Sequence, residues 1–257
     1  MAKKKKKVTT IVTRTVTVET IPSNEKTQII CILDRSGSMS SIMSDSIGGF
    51  NTFLKQQKEL PDEATLTVAL FDDKYELLYD DVDIKEVKDI TTKEWYPRGV
   101  TALYDAIGKT INNVKANHTR LGNERPAKVL VCIVTDGYEN ASKEYCLNDI
   151  EKLIKKCERD DWNFIYLAAN QDAFDVGQSF GISGGNTFTY TASMNGVSDM
   201  SQKLSNVTAS YRSMSSTGAN FKTRSKSLVE DDDDVEDDDE DFGTITTNDS
   251  TGTVTLK

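Results

Sequence analysis

Residues 28–39 read QIICILDRSGSM, an apolar run that ends in a short segment rich in oxygen-bearing side chains. A continuous apolar run of this length is typical of a strand that is buried on both faces. A second such run, KVLVCIV at 128–134, is followed by Thr135, Asp136 and Gly137. The two stretches predict strands of a parallel sheet whose carboxyl ends carry polar side chains.

The rest of the body alternates between strand-like and helix-like patterns. Helices are predicted from about Ser44, along the apolar stripe of Leu103, Ile107, Ile111 and Val114, along Leu147–Cys157 and along Val197–Tyr211, and further strands at 66–71, 75–82, 163–168 and 187–190. Strands that alternate with amphipathic helices predict an α/β fold. Right-handed crossovers then give a doubly wound, mostly parallel, Rossmann-like sheet with helices on both faces.

Charge and composition predict two ends that differ from the body. The formal net charge is −10, but eleven of the twelve residues in 230–241 are acidic, and without them the net charge is about +1. The chain is therefore divided into a basic head and Thr-rich arm at 1–26, a domain at 27–215, and a low-complexity acidic tail with a short β-prone end at 216–257. Alternating valines from Val8 to Val18 fit either a strand or a flexible arm.

The cysteines and the apolar runs bear on the compartment. Cys31 and Cys132 lie within apolar runs, where a thiol behaves as a small hydrophobic group, and no CxxC pair is present among the four cysteines. The segment after Lys7 is too polar for a signal peptide, and no apolar run is long enough to span a membrane. A cytoplasmic location is expected, or a host cytoplasm or virion if the source is a phage.

Three segments bring oxygen donors to the predicted carboxyl edge of the sheet. They are DRSGS at 34–38, RGVT at 98–101 and TDG at 135–137. The candidate donors among them are three hydroxyls (Ser36, Ser38 and Thr101) and two carboxylates (Asp34 and Asp136), without an imidazole or a thiolate. This donor set suits a hard cation such as Mg²⁺ better than zinc or copper. Taken singly, DxSxS also fits a helix cap, Thr101 a cap of the next helix, and Asp136-Gly137 an ordinary turn.

The five donors, in this order and after these strands, resemble the metal-ion-dependent adhesion site of the von Willebrand factor type A (VWA) family. The resemblance implies that Ser36, Ser38 and Thr101 approach the metal directly, while Asp34 and Asp136 act largely through bound water. It also implies Mg²⁺ as the ion, with Mn²⁺ as an alternative. The implied function is to bind a protein partner whose Asp or Glu replaces a water on the ion.

Three classes of function are compatible with this body. The first is the metal-dependent, non-catalytic binding module, and the second is a structural protein, such as a phage or surface-layer component, in which the fold is only a scaffold. The third, a hydrolase of the haloacid dehalogenase type, needs a carboxylate two residues after the first Asp, where Ser36 stands. His118, the single histidine, lies in a polar context and is expected at the surface, far from the site. An enzyme is therefore not expected.

Several residues near the site are given secondary roles. Arg35, Arg98 and Tyr138 are expected to form a rim that selects the partner, whereas Asp72 and Asp73 are expected to be turn residues. Asp105 is expected to be a solvated helix residue. Lys3–Lys7 lack interleaved aromatic residues, so no nucleic acid is expected as a partner.

Overall fold

The structure is a computed structural model, which describes residues 26–169 and 173–214. The strands of the described part form one sheet: β1 (Thr27–Asp34), β2 (Ala64–Phe71), β3 (Tyr75–Asp83), β4 (Lys128–Thr135), β5 (Trp162–Ala169) and β6 (Thr187–Tyr190). Their order across the sheet is β3-β2-β1-β4-β5-β6. The β2–β3 pair is antiparallel and the other four pairs are parallel. The predicted mostly parallel sheet is thus confirmed.

Helices cover both faces of this sheet. They are α1 (Met43–Lys58), α2 (Leu103–Leu121), α3 (Leu147–Arg159), α4 (Ala173–Ser179) and α5 (Met194–Ser213). One core lies between the sheet and α1 with α5, and the other between the sheet and α2, α3 and α4. The seven-residue helix α4 was not predicted, because it follows no apolar stripe. Within the described ranges, no helix is both long and apolar enough to cross a membrane.

The solid apolar runs form strands because both of their faces are covered. Every residue of β1, β2, β4 and β5 is buried. Successive side chains of a strand point to opposite faces, so Ile29 and Cys31 enter one core while Ile30 enters the other. Cys31 lies beside Cys132 on the neighbouring strand, and both are free and buried, as predicted for small hydrophobic residues.

The end of α5 is fixed beside the amino-terminal edge of the sheet. Lys128, the first residue of β4, donates from Nζ to the carbonyl oxygens of Arg212 (2.5 Å) and Met214 (3.0 Å). The Arg212 guanidinium is itself buried and donates to the carbonyl oxygens of Gln57 and Asp62. These hydrogen bonds fix the end of α5 against the connection between α1 and β2.

The boundaries predicted at 26 and 215, with the arm and the tail, lie at or outside the limits of the described residues.

His118 is buried, which contradicts the expectation of a surface histidine. Its side chain is 8% exposed, its Nε2 lies 2.6 Å from Gln28 Oε1, and its ring packs edge-on against Trp162. Burial lowers the pKa of His118. Gln28 and Trp162 stand at the amino-terminal ends of their strands, so the expected separation of His118 from the candidate site is confirmed. The residue completes a polar pair within the core.

Candidate metal centre

Parallel strand topology brings the three donor segments to one edge. Asp34 ends β1, Asp136 follows β4 immediately, and Thr101 lies two residues before α2. Because β1 and β4 are neighbours in register, their carboxyl ends open onto the same crevice. Backbone hydrogen bonds draw in the third segment, since Gly37 N donates to Gly99 O (3.2 Å).

The predicted donor oxygens converge. Ser36 Oγ lies 3.0 Å from Ser38 Oγ, and Ser38 Oγ donates to Asp136 Oδ1 at 2.5 Å. A Cβ placed on Gly137 would lie 3.3 Å from both Ser38 Oγ and Thr101 Oγ1, so Thr101 faces the same small space. A side chain at Gly137 would crowd these donors, which explains the glycine there.

Asp34 forms the buried base of the centre. Its side chain is fully buried, with Oδ1 accepting from Ser36 N (2.6 Å) and Oδ2 accepting from Thr135 Oγ1 (2.6 Å). The pKa of Asp34 is raised to about 6, mainly by burial and to a smaller extent by the nearby charge of Asp136, although these hydrogen bonds oppose the shift. Trp95 Nε1 donates to the Asp34 carbonyl oxygen at 2.9 Å and fixes the backbone there.

The centre opens to solvent on the side of Ser38. Ser38 is exposed and Asp136 is half-buried, whereas Ser36 and Thr101 are buried. Burial also raises the pKa of Asp136, against the hydrogen bond from Ser38. Two carboxylates thus lie in partly desolvated surroundings and are near enough for the charge of one to raise the pKa of the other, and a cation between them would stabilise the charged form of both.

The Thr101 segment is fixed on both sides. Thr101 N donates to Asn140 Oδ1 (2.9 Å), and its carbonyl oxygen accepts from Asn140 N (3.0 Å). Gly99 has a φ of +65°, and a Cβ there would overlap with Asp73 Oδ1. Only glycine combines this left-handed backbone with so close an approach. The glycine therefore allows the Thr101 segment to pass close to Asp73.

Asp72 has a role that the sequence interpretation missed. It does lie in the β2–β3 turn, but its side chain is fully buried, and it accepts a hydrogen bond from Arg98 Nε. Arg35 Nε lies 3.5 Å from the same oxygen, and the carbonyl oxygen of Asp72 accepts from Ala102 N. Asp72 therefore joins the two loops that carry Ser36 and Thr101. The order of charges along the sequence contains no pattern that indicates this pairing.

Arg35 and Asp105 also differ from expectation. The Arg35 side chain is 1% exposed and pairs with Glu76 (2.7 Å) as well as Asp72, so it is wrong to assign it to an exposed rim. Asp105 is 8% exposed rather than solvated, and its carboxylate accepts from three consecutive amides. These belong to Lys143, Glu144 and Tyr145. Tyr138, at 63% exposed, remains a rim residue.

The chemistry of the converging oxygens agrees with a hard cation. Within residues 26–169 and 173–214, no three His, Cys, Asp or Glu side chains form a group that could hold a metal ion. Three hydroxyls and two carboxylates around one space match the oxygen ligands that Mg²⁺ and Mn²⁺ accept. The described residues therefore fit the ion that the sequence predicts.

Comparison with known proteins supports the fold. No protein-family model and no curated protein matches the sequence. Among solved structures, the von Willebrand factor type A from Catenulispora acidiphila is 11% identical, with a TM-score of 0.52 over 72% of this chain and 43% of that chain. The PilB minor pilin from Streptococcus sanguinis is also 11% identical, with a TM-score of 0.52 over 73% of this chain and 62% of that chain.

A further similarity has a TM-score of 0.49. It is to the proximal thread matrix protein 1 from the mussel byssus with a zinc-occupied MIDAS motif, 17% identical over 74% of this chain and 47% of that chain. This chain thus spans less than two thirds of each of these proteins. At these identities a similarity shows the fold alone, and the chain shares the α/β fold of the von Willebrand factor type A from Catenulispora acidiphila.

Proposed function

We propose that this chain is a member of the VWA family with a complete metal site, and that it binds a protein partner through Mg²⁺. The ion would be held by Ser36, Ser38 and Thr101 directly and by Asp34 and Asp136 largely through water, and it would accept one carboxylate oxygen from the partner. The observation that carries this proposal is the convergence of Ser36, Ser38, Thr101 and Asp136 at an edge that opens to solvent at Ser38, with the Asp34 carboxylate bonded directly to Ser36 N.

A carboxylate is the partner group that this arrangement favours. The two carboxylates of the centre balance a divalent charge, but the hydrogen bonds of Asp34 to Ser36 N and Thr135 Oγ1 already engage both of its oxygens. In a partly desolvated crevice the effective dielectric is below that of water, so charge pairing stabilises a bound carboxylate more than a neutral oxygen. A partner Asp or Glu is therefore preferred over an amide.

The surroundings favour binding over catalysis. His118 lies at the opposite end of the sheet, and Ser36 occupies the place where a phosphatase of the haloacid dehalogenase type needs its acid. The rim residues Tyr138 and Arg98 are available to select a partner. We therefore propose a non-catalytic module, with the scaffold function as the alternative.

Metal-dependent capture tests this function. The full chain is immobilised and a candidate partner is offered in Mg²⁺ or in EDTA, with binding quantified by calorimetry once the partner is purified. We expect EDTA to reduce affinity by at least tenfold. Asp34→Ala and Thr101→Ala should do the same in Mg²⁺, and so should a Glu→Gln change at the partner's contact.

Asp73→Ala is the matched control. It removes an exposed carboxylate at the same edge without touching a donor, so binding should stay at the wild-type level. A partner that binds equally well with and without metal, and equally to Thr101→Ala, would show that its interface lies elsewhere. The scaffold alternative would then hold.

A further inference from the structure

The acidic run at 230–241 carries the charge that a cation would attract, and it belongs to the same chain as the candidate centre. We propose that this run, together with Phe242, binds at the carboxyl edge of its own domain and competes there with partner proteins. The proposal rests on the proposed function, because it requires the cation. It makes the tail an internal competitor that a partner must displace.

Exposed apolar side chains gather at this edge. Within the described ranges, the large hydrophobic residues that are exposed number six, with exposures from 37% to 67%: Tyr96, Val100, Tyr138, Leu147, Phe174 and Met194. Each lies in a loop beside the carboxyl ends of the strands or in the first turn of a helix that leaves this edge. They offer apolar contacts to a segment that binds at this edge.

The tail has apolar residues spaced among its carboxylates. Leu228 and Val229 precede the acidic run, Val235 interrupts it and Phe242 follows it. A carboxylate of the run can therefore reach the cation while a neighbouring apolar side chain contacts Tyr138 or Val100. Eleven carboxylates offer as many alternative registers, which raises the occupancy of the site.

The tail is long enough to reach the centre. The described chain leaves α5 at the amino-terminal edge, where Met214 accepts from Lys128 Nζ. The centre lies one strand length away, roughly 26 Å for the eight residues of β4. The fifteen residues of 215–229 can span at most about 50 Å. The acidic run can therefore reach the edge of the domain that carries it.

Covalent attachment makes even a weak contact significant. A short linker holds a tethered ligand at an effective concentration in the millimolar range. A contact that would have a dissociation constant near 1 mM between separate molecules would thus be about half occupied within one chain. An added ligand with the same chemistry then binds more weakly, by a factor that is set by the fraction of sites that the tail occupies.

The test compares two full chains: the wild type, and a variant with Asp→Asn and Glu→Gln at all eleven acidic positions of 230–241. The probe is a synthetic peptide with the sequence of residues 226–243, titrated by calorimetry in saturating Mg²⁺. We expect the peptide to bind the neutralised chain at least about twofold more tightly than the wild type. In the neutralised chain, EDTA or Asp136→Ala should abolish binding. Tyr138→Ser should weaken it and Arg120→Ser, at the far end of α2, should not.

Three results would overturn the proposal. Equal peptide affinity for both chains, or no peptide binding at all, would show that the tail does not occupy the site. Peptide binding that survives in EDTA would place the contact away from the cation. A wild-type dimer that forms in Mg²⁺ and is absent from the neutralised chain, measured by sedimentation, would assign the tail to a second copy. Failure of the metal function is recognised separately, because Mg²⁺ would then leave the unfolding temperature of both chains unchanged.

Discussion

Asp136→Ala is expected to abolish the rise in unfolding temperature that Mg²⁺ causes in the wild-type chain. A ligand selective for the folded state stabilises it by about 2.7 kcal/mol at one hundred times its dissociation constant. For a domain of this size, that corresponds to a shift of roughly 5–10 °C. Asp136 supplies one of the two carboxylates and accepts from Ser38, so its loss removes both charge and order from the donor set.

The unfolding temperature without metal shows whether a substitution removes the metal site or destabilises the fold. Because burial raises the pKa of Asp136, its charged form destabilises the folded state at neutral pH, and Asp136→Ala should fold at least as well as the wild type without metal. Thermal unfolding followed by circular dichroism, with and without Mg²⁺, gives both values. Asp73→Ala should respond to Mg²⁺ like the wild type. An undiminished response in Asp136→Ala would show that the ion binds elsewhere on the folded chain.

Arg212→Ala is expected to lower the free energy of unfolding by about 3–5 kcal/mol. The guanidinium is 1% exposed, and Nη1 donates to Gln57 O (2.6 Å) while Nη2 donates to Asp62 O. Removing it leaves buried carbonyl oxygens without their donor and opens a cavity under the end of α5. Urea denaturation should show a lower midpoint with an unchanged slope.

Arg120→Ala provides the matched control for that substitution. Arg120 is exposed in the last turn of α2, and such surface changes usually remain within about 0.5 kcal/mol. If Arg212→Ala lowers the free energy of unfolding no more than Arg120→Ala does, the contact between α5 and the α1–β2 connection contributes little to stability. The carboxyl boundary of the domain would then lie before Arg212.

The sheet could be predicted because its pattern is local. Residues 28–33 and 128–134 are apolar throughout, and such runs require cover on both faces, which in turn requires helices between parallel strands. The convergence of Ser36, Ser38 and Asp136 follows from the same topology, since neighbouring parallel strands end at one edge. The hairpin of β2 and β3 was predicted for a similar reason, from the short turn between two strand-like segments.

The residues that were missed depend on contacts that the chain order does not reveal. Asp72 pairs with Arg98, 26 positions away, and no spacing rule connects them. His118 did carry a usable pattern, because it continues the stripe of Ile111 and Val114 by a step of four. The polar residues on either side of it led to the prediction of an exposed position instead. Arginine is usually exposed, but Arg35 directly follows a buried strand. It is buried there because its charge pairs with Asp72 and Glu76.

The central claim is that a divalent cation binds among Asp34, Ser36, Ser38, Thr101 and Asp136, and the indole N–H resonances of a ¹⁵N-labelled full chain test it most directly. The chain has two tryptophans: Trp95 donates to the Asp34 carbonyl oxygen, whereas Trp162 lies at the opposite end of the sheet. Titration with Mg²⁺ should shift the Trp95 resonance to saturation, leave that of Trp162 in place, and shift neither in Asp136→Ala. An unmoved Trp95 resonance in the wild type, or the same shift in Asp136→Ala, would contradict the claim.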